Sequence, residues 1–528
     1  MNGYDTIIIG AGSAGCVLAN RLSDDPGRKL LLVEAGGRDS HPLLHIPAGW
    51  ASSFGNKKFD WCYQTAAESE LLDREIFWPR GRVLGGSSSI NGMIYIRGDS
   101  SDFERWSGSG AIGWSYEDVL PYFLKSESQR RIANEYHGSD GPLHVQDVRS
   151  KGVADECFLE GMQEVGIPRN DDFNGMKQEG CGYYQLNQKG GRRWSAASAY
   201  LDSVRGRSNL DIWTETAAEK LVFSGNRVTG VDLSRGKRGL SRVFADQVIL
   251  CCGTINSPQL LELSGIGNAE LLRKLGIQVV LDQPEVGENL QDHLMTKVVC
   301  GVKPRFSINK EVTGWRLLPT FFRWLLFRSG ALTNGSATAG GFGFTRDDLN
   351  APDIQIHFAS GATLHNQNGK VRALSRPAIT AVVGQSRPES QGSVHICNRE
   401  ANVYPVIKPN YLSTELDRKT LVDGVRLLID IFESNAMSNI VTGRIAPLAA
   451  RDSDSELLAY IRNDAVTCYH PTSTCRIGSV VDSDLRVQGI EGLSVVDASV
   501  MPYVVSGNTN AATIMIAEKA ADKHLDIR

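Results

Sequence analysis

The stretch Tyr4–Gly15, Y-D-T-I-I-I-G-A-G-S-A-G, decides how the fold is read. Thr6 to Ile9 is a β-branched run, Ala14 to Leu22 has helical apolar spacing, and Lys29 to Glu34 is a second apolar run, so a βαβ unit opens the sequence. The glycines stand where such a unit needs them. Gly10 allows the tight turn out of the strand, Gly12 lets a pyrophosphate approach the backbone, and Gly15 lets helix and strand pack closely. The N-terminus of the helix favours phosphate charge. Glu34 closes the second strand 19 residues after Gly15, the place of a carboxylate that accepts from adenosine ribose hydroxyls. Gly10, Gly12, Ser13, Ala14 and Gly15, with Glu34 and Ala35, are therefore the candidate contacts to the ADP half of a dinucleotide. They do not separate NAD from FAD, because both carry that half.

Working outward, Asp246 to Cys252 runs into Gly253, and Leu493 to Asp497 precedes a helical Ala511 to Asp522, two more strand-then-helix patterns far along the chain. Between them Asp353–Phe358, Ala378–Val383 and Ser393–Ile396 read as strands of an antiparallel sheet. The expected class is α/β (α+β overall). A Rossmann-like domain of residues 1–150, 210–300 and 465–528 is interleaved with a substrate-binding domain of 151–209 and 301–464, built on an antiparallel sheet with helices. At 528 residues the chain exceeds what one core supports, and 41% hydrophobic against 22% charged residues excludes a disordered scaffold. Lys and Arg number 56 against 60 acids, a net charge of −4, which gives no whole-chain attraction to nucleic acid or an anionic membrane.

Ten scattered cysteines without a C-x-x-C pair indicate reduced thiols rather than a zinc ribbon or disulfide framework. No signal-like segment precedes Tyr4, so a cytoplasmic location is expected. Phe321 to Phe327 is the richest apolar run but is interrupted by Arg323 and too short to span a bilayer, and is expected as a buried helix or lid. His41 and His45 have a metal-like spacing, yet Pro42 and the lack of nearby acids argue for a loop, and no metal is expected.

Two longer motifs carry a family resemblance. Gly81–Gly92 reads G-R-V-L-G-G-S-S-S-I-N-G, and Gly253–Gly267 reads G-T-I-N-S-P-Q-L-L-E-L-S-G-I-G; with E-N-L-Q-D-H at Glu288–His293 and V-V-D-A-S-V-M-P at Val495–Pro502, they resemble the signature patterns of the glucose-methanol-choline (GMC) flavoprotein oxidoreductases. The resemblance runs from about Tyr4 to Asp522 and implies bound FAD, alcohol oxidation and a substrate domain over the flavin. It places Arg82, Gly86 and Ser87 along the pyrophosphate and ribityl chain, Asn91 and Gly92 near the isoalloxazine, Ala218 near adenine, and Asp497 and Ala498 on the pyrophosphate or ribityl chain. Some members attach FAD through a histidine where this chain has Ile90, so the flavin is expected to be non-covalent.

Alcohol oxidation needs a group that takes the hydroxyl proton, and histidine suits that task at neutral pH. Sequence physics alone nominates none of the ten histidines. The resemblance nominates His470, within T-C-Y-H-P-T-S-T-C-R-I-G, as the base, and Asn508, 38 residues later, as its hydrogen-bonding partner; Asn508 as a helix cap is the plain alternative. Thr509, Asn510 and Ala511 open the terminal helix, whose free N–H groups suit negative charge on reduced flavin or ordinary capping alike. Cys468 and Tyr469 face the flavin by resemblance or are packing residues.

The overall pattern is most similar to the L-sorbose dehydrogenase and choline-dehydrogenase-like branches, through His41–Pro47 and Tyr469–Cys475. The expected reaction is oxidation of a primary alcohol, a sugar such as L-sorbose or another polar alcohol, with quinone, dye or O2 as electron acceptor and dyes or quinones preferred. Alternatives are an aromatic or heteroaromatic hydroxymethyl substrate, walled by Trp61, Met93, Tyr95 and Trp315, a quaternary ammonium alcohol, and a flavin-containing hydroxynitrile-type lyase. A monomer or dimer without nucleic-acid partner or transmembrane segment is expected.

Overall fold

A computed structural model of the chain describes residues 3–236, 239–365 and 370–525. Strand Tyr4–Ile9 pairs in parallel with Leu30–Val33 on one side and with the end of Leu240–Leu250 on the other. Leu210–Trp213 and Leu493–Val495 extend this parallel layer at its two sides. Strands covered on both faces must be apolar throughout, which is why Ile7, Ile8, Leu31 and Leu32 form uninterrupted runs and are fully buried. The first half of Leu240–Leu250 leaves the parallel layer and pairs antiparallel with Arg227–Ser234, which pairs with Ala217–Ser224, completing a seven-stranded sheet.

Gly10 turns the chain at φ +99°, and helix Ser13–Leu22 then packs against it so closely that a Cβ on Gly15 would lie 1.9 Å from the Gly10 carbonyl oxygen. The terminal helix Asn510–Leu525 lies along Ser13–Leu22. Its fully buried Glu518 accepts two hydrogen bonds from Arg21, at 2.7 and 2.8 Å, and one from the Tyr200 hydroxyl at 2.9 Å. At their N-termini Ser13 Oγ donates to Asn510 Oδ1 at 2.7 Å. The first and last helices of the chain therefore start side by side.

A second seven-stranded sheet runs Val441–Ala446, Leu294–Val302, Ala378–Gln385, Ile354–Ala359, Ala339–Gly343 and Gly180–Tyr183, with Val466–Thr467 beside Leu294–Val302, antiparallel throughout. Helix Glu415–Glu433 seals one face with Leu421, Val425, Leu428 and Ile429. The other face, through Met295, His357, Ala359, Thr380 and Val382, forms a wall of the cavity described below.

Two expectations are corrected. Ser393–His395 is a strand, but it pairs with Val406–Lys408 in a separate hairpin rather than in the main sheet; alternation along a segment indicates a strand without naming its partner. The apolar run around Phe321–Phe327 lies in helix Leu317–Phe327, and of the two expectations for it, buried helix or lid, the first fails: only Trp324 is buried, while Leu326 and Phe327 are 69% and 71% exposed. Among the described residues no helix is long and apolar enough to cross a membrane.

The glycine geometry separates folding from cofactor binding. Gly15→Ala forces a methyl into a backbone carbonyl and should cost at least the roughly 1–3 kcal/mol of an overpacked core. Gly12→Ala meets only the Gly86 Cα at 4.0 Å, so its apoprotein should unfold near the wild-type temperature yet bind FAD poorly. Thermal unfolding and FAD titration of both variants check this; equal destabilisation of the two would contradict it.

Candidate active site

A continuous cavity of about 990 Å³ runs between the two sheets. At one end it is lined by Gly10, Gly12, Ser13, Ala14, Glu34, Ala35 and Ala218. Gly15 lies behind this surface, in the helix–strand contact. Glu34 accepts from the backbone N–H of Ala11 at 3.0 Å and of Gly36 at 2.8 Å, and burial still pushes its carboxyl up to about 7. Ribose hydroxyls donating to this buried acid favour its charged form.

Arg82, Gly86, Ser87, Asn91 and Gly92 line the middle of the cavity. Gly86, at φ +53°, lies against Gly12 so tightly that a Cβ there would sit 2.7 Å from the Gly12 Cα, and the two glycine loops meet backbone to backbone. Arg82 lies over the Trp61 ring at 4.9 Å, and its buried Nε has no protein partner. Asp497 accepts from Gly253 N at 2.9 Å, Ser257 Oγ at 2.6 Å and Ser499 N at 2.8 Å, which fastens the start of helix Gly253–Leu263 beside Ala498. Thr509 and Asn510 also line the cavity, whereas Ala511 is buried within its helix. A ribose-side acid, two adjacent helix N-termini, glycine backbone and an unpartnered arginine donor fit FAD and its pyrophosphate.

His470 and Asn508 meet at the far side of this middle section, with Asn508 Nδ2 3.1 Å from His470 Nε2. The Tyr-His-Pro segment is held in an unusual shape: Tyr469 has φ +68°, a conformation rare for an aromatic residue, and packs on Phe54. The buried Asp292 carboxylate accepts from His470 N at 2.7 Å and from the hydroxyls of Thr467 and Tyr411. His293 Nδ1 lies 2.9 Å from His470 Nδ1, and His293 Nε2 lies 3.0 Å from the Ser386 carbonyl oxygen.

These contacts settle the proton positions. A carbonyl only accepts, so His293 Nε2 carries hydrogen; burial lowers His293 to about 4, so it is neutral and its Nδ1 accepts from His470 Nδ1–H. His470 therefore presents an unprotonated Nε2. Burial, then the neighbouring His293, His357 and Arg80, push its pKa well below 6.5. Gln355 Nε2 donates to Asn508 Oδ1 at 3.2 Å, which turns the Asn508 amide N–H toward His470, so Asn508 is no helix cap: the terminal helix starts at Asn510.

Sequence reasoning missed the roles of Asp292, His293 and Gln355. The first two stand in the E-N-L-Q-D-H motif, so their signal was present without a role attached. His357 lines the cavity, is held neutral at about 4 by burial, and keeps a buried Nδ1 without a partner. Cys468 and Tyr469 also line the cavity. Of the four aromatic or apolar wall candidates, Trp61 and Met93 line it. Tyr95 instead sits in the core, accepting from Arg97 Nε at 3.1 Å, and Trp315 is an exposed surface residue.

A parallel-sheet glycine turn feeding a cavity that ends on a neutral histidine defines the class of a dinucleotide-binding oxidoreductase. The GMC oxidoreductase family models match residues 4–295 and 388–517, and the chain belongs to that family. It is 42% identical over 527 residues to the alcohol dehydrogenase (acceptor) of Pseudomonas putida, covering 98% of this chain and 95% of that protein. It is 41% identical over 532 residues to human mitochondrial choline dehydrogenase, covering 98% and 89%. The solved pyridoxine 4-oxidase from Mesorbium loti superposes with a TM-score of 0.90 at 31% identity, covering 99% of this chain and all of that one. The protein is thus an FAD-binding oxidoreductase that acts on CH–OH donors.

Ile90 is buried and lines the cavity, and an alkyl side chain offers no atom for attachment of the flavin. Acid precipitation should leave the FAD in the supernatant; yellow colour retained in the pellet would contradict this.

Proposed function

We propose that the protein oxidises an uncharged primary alcohol with an apolar tail to the aldehyde, with His470 as the base. The carrying observation is the unprotonated His470 Nε2 facing the cavity, fixed through His293 and the Ser386 carbonyl. Bound FAD supplies the acceptor for the hydride of the carbinol C–H bond. The substrate hydroxyl takes the place of the Asn508 N–H at the single lone pair of Nε2, which then takes the hydroxyl proton, and the Asn508 amide, held by Gln355, hydrogen-bonds the substrate oxygen instead as negative charge develops there. His357 Nδ1 and Thr380 Oγ1, both buried without protein partners, are additional polar groups on the same wall.

Beyond these groups Ile308, Val312, Leu332, Ala359, Ala362 and Val371 give the chamber aliphatic walls, interrupted by Asn309, Asn334 and Ser336, of which Asn334 has a buried Oδ1 without a protein partner. A sugar would bring several hydroxyls to a wall on which the buried unpartnered atoms are few, among them Asn334 Oδ1, His357 Nδ1 and Thr380 Oγ1, and each hydroxyl left unpaired costs binding energy. This favours an alkyl or aryl alcohol over L-sorbose. A quaternary ammonium alcohol is disfavoured as well. Among the described residues the acids lining the cavity are Glu34, Glu219, Asp464 and Asp497; Asp464 pairs with Lys297 at 2.9 Å, and Asp497 is occupied by its three donors.

Two measurements test the reading. His470→Ala should keep FAD and lose on the order of 100-fold to 10,000-fold in turnover, the contribution of a positioned base. Asn508→Ala, which removes one neutral donor, should lose at most about 1,000-fold. Because His470 is neutral until well below pH 6.5, kcat/KM should be flat through neutrality and fall only on the acid side of 6.5. Near-normal turnover by flavin-loaded His470→Ala would sink the assignment.

For substrate, kcat/KM along the n-alkanols should rise by about fourfold per methylene until the chamber is filled, from about 0.8 kcal/mol per buried CH2. L-sorbose or choline outperforming the longer alkanols would overturn the apolar-tail reading while leaving the base untouched.

A further inference from the structure

Helix Leu317–Phe327 is apolar except for Thr320 and Arg323. Its inner face is accounted for: Phe321 and Trp324 pack on Ile46 and Leu332, and Trp324 Nε1 donates to the Gly191 carbonyl oxygen at 2.9 Å. Its outer face has no partner among the described residues. Leu318 is 62% exposed and Trp315, just before the helix, 74%; Phe322, Leu325, Leu326 and Phe327 continue the same surface. Contiguous exposed apolar side chains of this size mark an interaction site.

Charge identifies the partner. Residues 301–330 contain six basic side chains, Lys303, Arg305, Lys310, Arg316, Arg323 and Arg328, against the single acid Glu311, in a chain whose net charge is −4. Lys310, Arg316 and Arg323 are exposed next to the apolar residues. Large apolar and aromatic side chains bordered by arginine and lysine are the composition of a helix lying in the plane of an anionic bilayer, where the rings and leucines enter the headgroup boundary and the basic groups meet lipid phosphates.

The surface is also continuous with the cavity. Leu317 is both exposed and part of the cavity lining, and Val312 and Leu332 line the cavity at the same corner. We propose that the face built on Leu317–Phe327 docks on an anionic lipid bilayer and sets the apolar end of the cavity against the membrane. From there apolar alcohols and quinone-type acceptors, which partition into lipid, reach the cavity without crossing water. The docking rests on exposure and charge, and stands apart from the choice of substrate.

The test is co-sedimentation of the FAD-loaded protein with vesicles of phosphatidylcholine alone or mixed with phosphatidylglycerol, at low and high salt. The protein should bind the mixed vesicles at low salt and bind them less at high salt. The double variant Leu326→Asp, Phe327→Asp should stay in the supernatant. The double variant Arg316→Glu, Arg323→Glu should lose the preference for phosphatidylglycerol, by at least about fivefold per basic group removed. All variants should retain FAD and turn over a short soluble alcohol with a soluble dye, which shows that they are folded. Wild-type protein that ignores both kinds of vesicle, or an aspartate variant that binds as well as wild type, would overturn the proposal. So would a wild-type dimer that the aspartate variant converts to monomer without any vesicle binding, because a second copy would then be the occupant of this face.

Discussion

Asp292 is buried and accepts from the Tyr411 hydroxyl, the Thr467 hydroxyl and the backbone N–H of His470, donors 119, 175 and 178 residues away from it in the chain. Burial raises its pKa, and those three donors together with the Arg80 guanidinium work against that rise. A buried carboxylate is tolerable only when it is satisfied in this way. The consequence is positional. The backbone at His470 cannot move without breaking a charge-assisted hydrogen bond, while the next residue, His293, orients the His470 ring. Two consecutive residues thus hold the base by its backbone and by its imidazole.

The same economy recurs at the other end of the cavity. Glu34 and Asp497 are buried acids that accept from backbone N–H groups, and each pins a turn: Glu34 the one at Ala11, Asp497 the one at Gly253. Glu518, between the first and last helices, does so for whole elements. The cavity is therefore framed by carboxylates whose donors come from segments remote in sequence. This lets loops rich in glycine keep a defined shape while lying open to a cofactor.

The glycine turn, the acid at Glu34 and the strands around them are legible in the sequence because their requirements are local: a positive φ at Gly10, a close approach at Gly15, an apolar run for a strand buried on both faces. His470 and Asn508 emerge only from resemblance, since no local property distinguishes His470 among ten histidines. The contacts of the network behind them were not legible, although Asp292 and His293 stand in a recognised motif. His293 lies 177 residues from His470 and Gln355 lies 153 residues from Asn508, and only the folded sheets bring them together. The helix at Leu317–Phe327 failed in the opposite direction: an apolar run predicts burial, and exposure of that run is a property of its surroundings, not of its composition.

The central claim is that the fold delivers His470 as a neutral imidazole with its proton on Nδ1 and its lone pair on Nε2. Nitrogen NMR of the FAD-loaded protein labelled with 15N-histidine, assigned by loss of the His470 signals in His470→Gln, measures this directly. The structure predicts one protonated nitrogen, Nδ1, coupled to His293, and one unprotonated nitrogen, unchanged from neutral pH down to the ordinary imidazole value of about 6.5. An imidazolium at neutral pH, or a proton on Nε2, would contradict it.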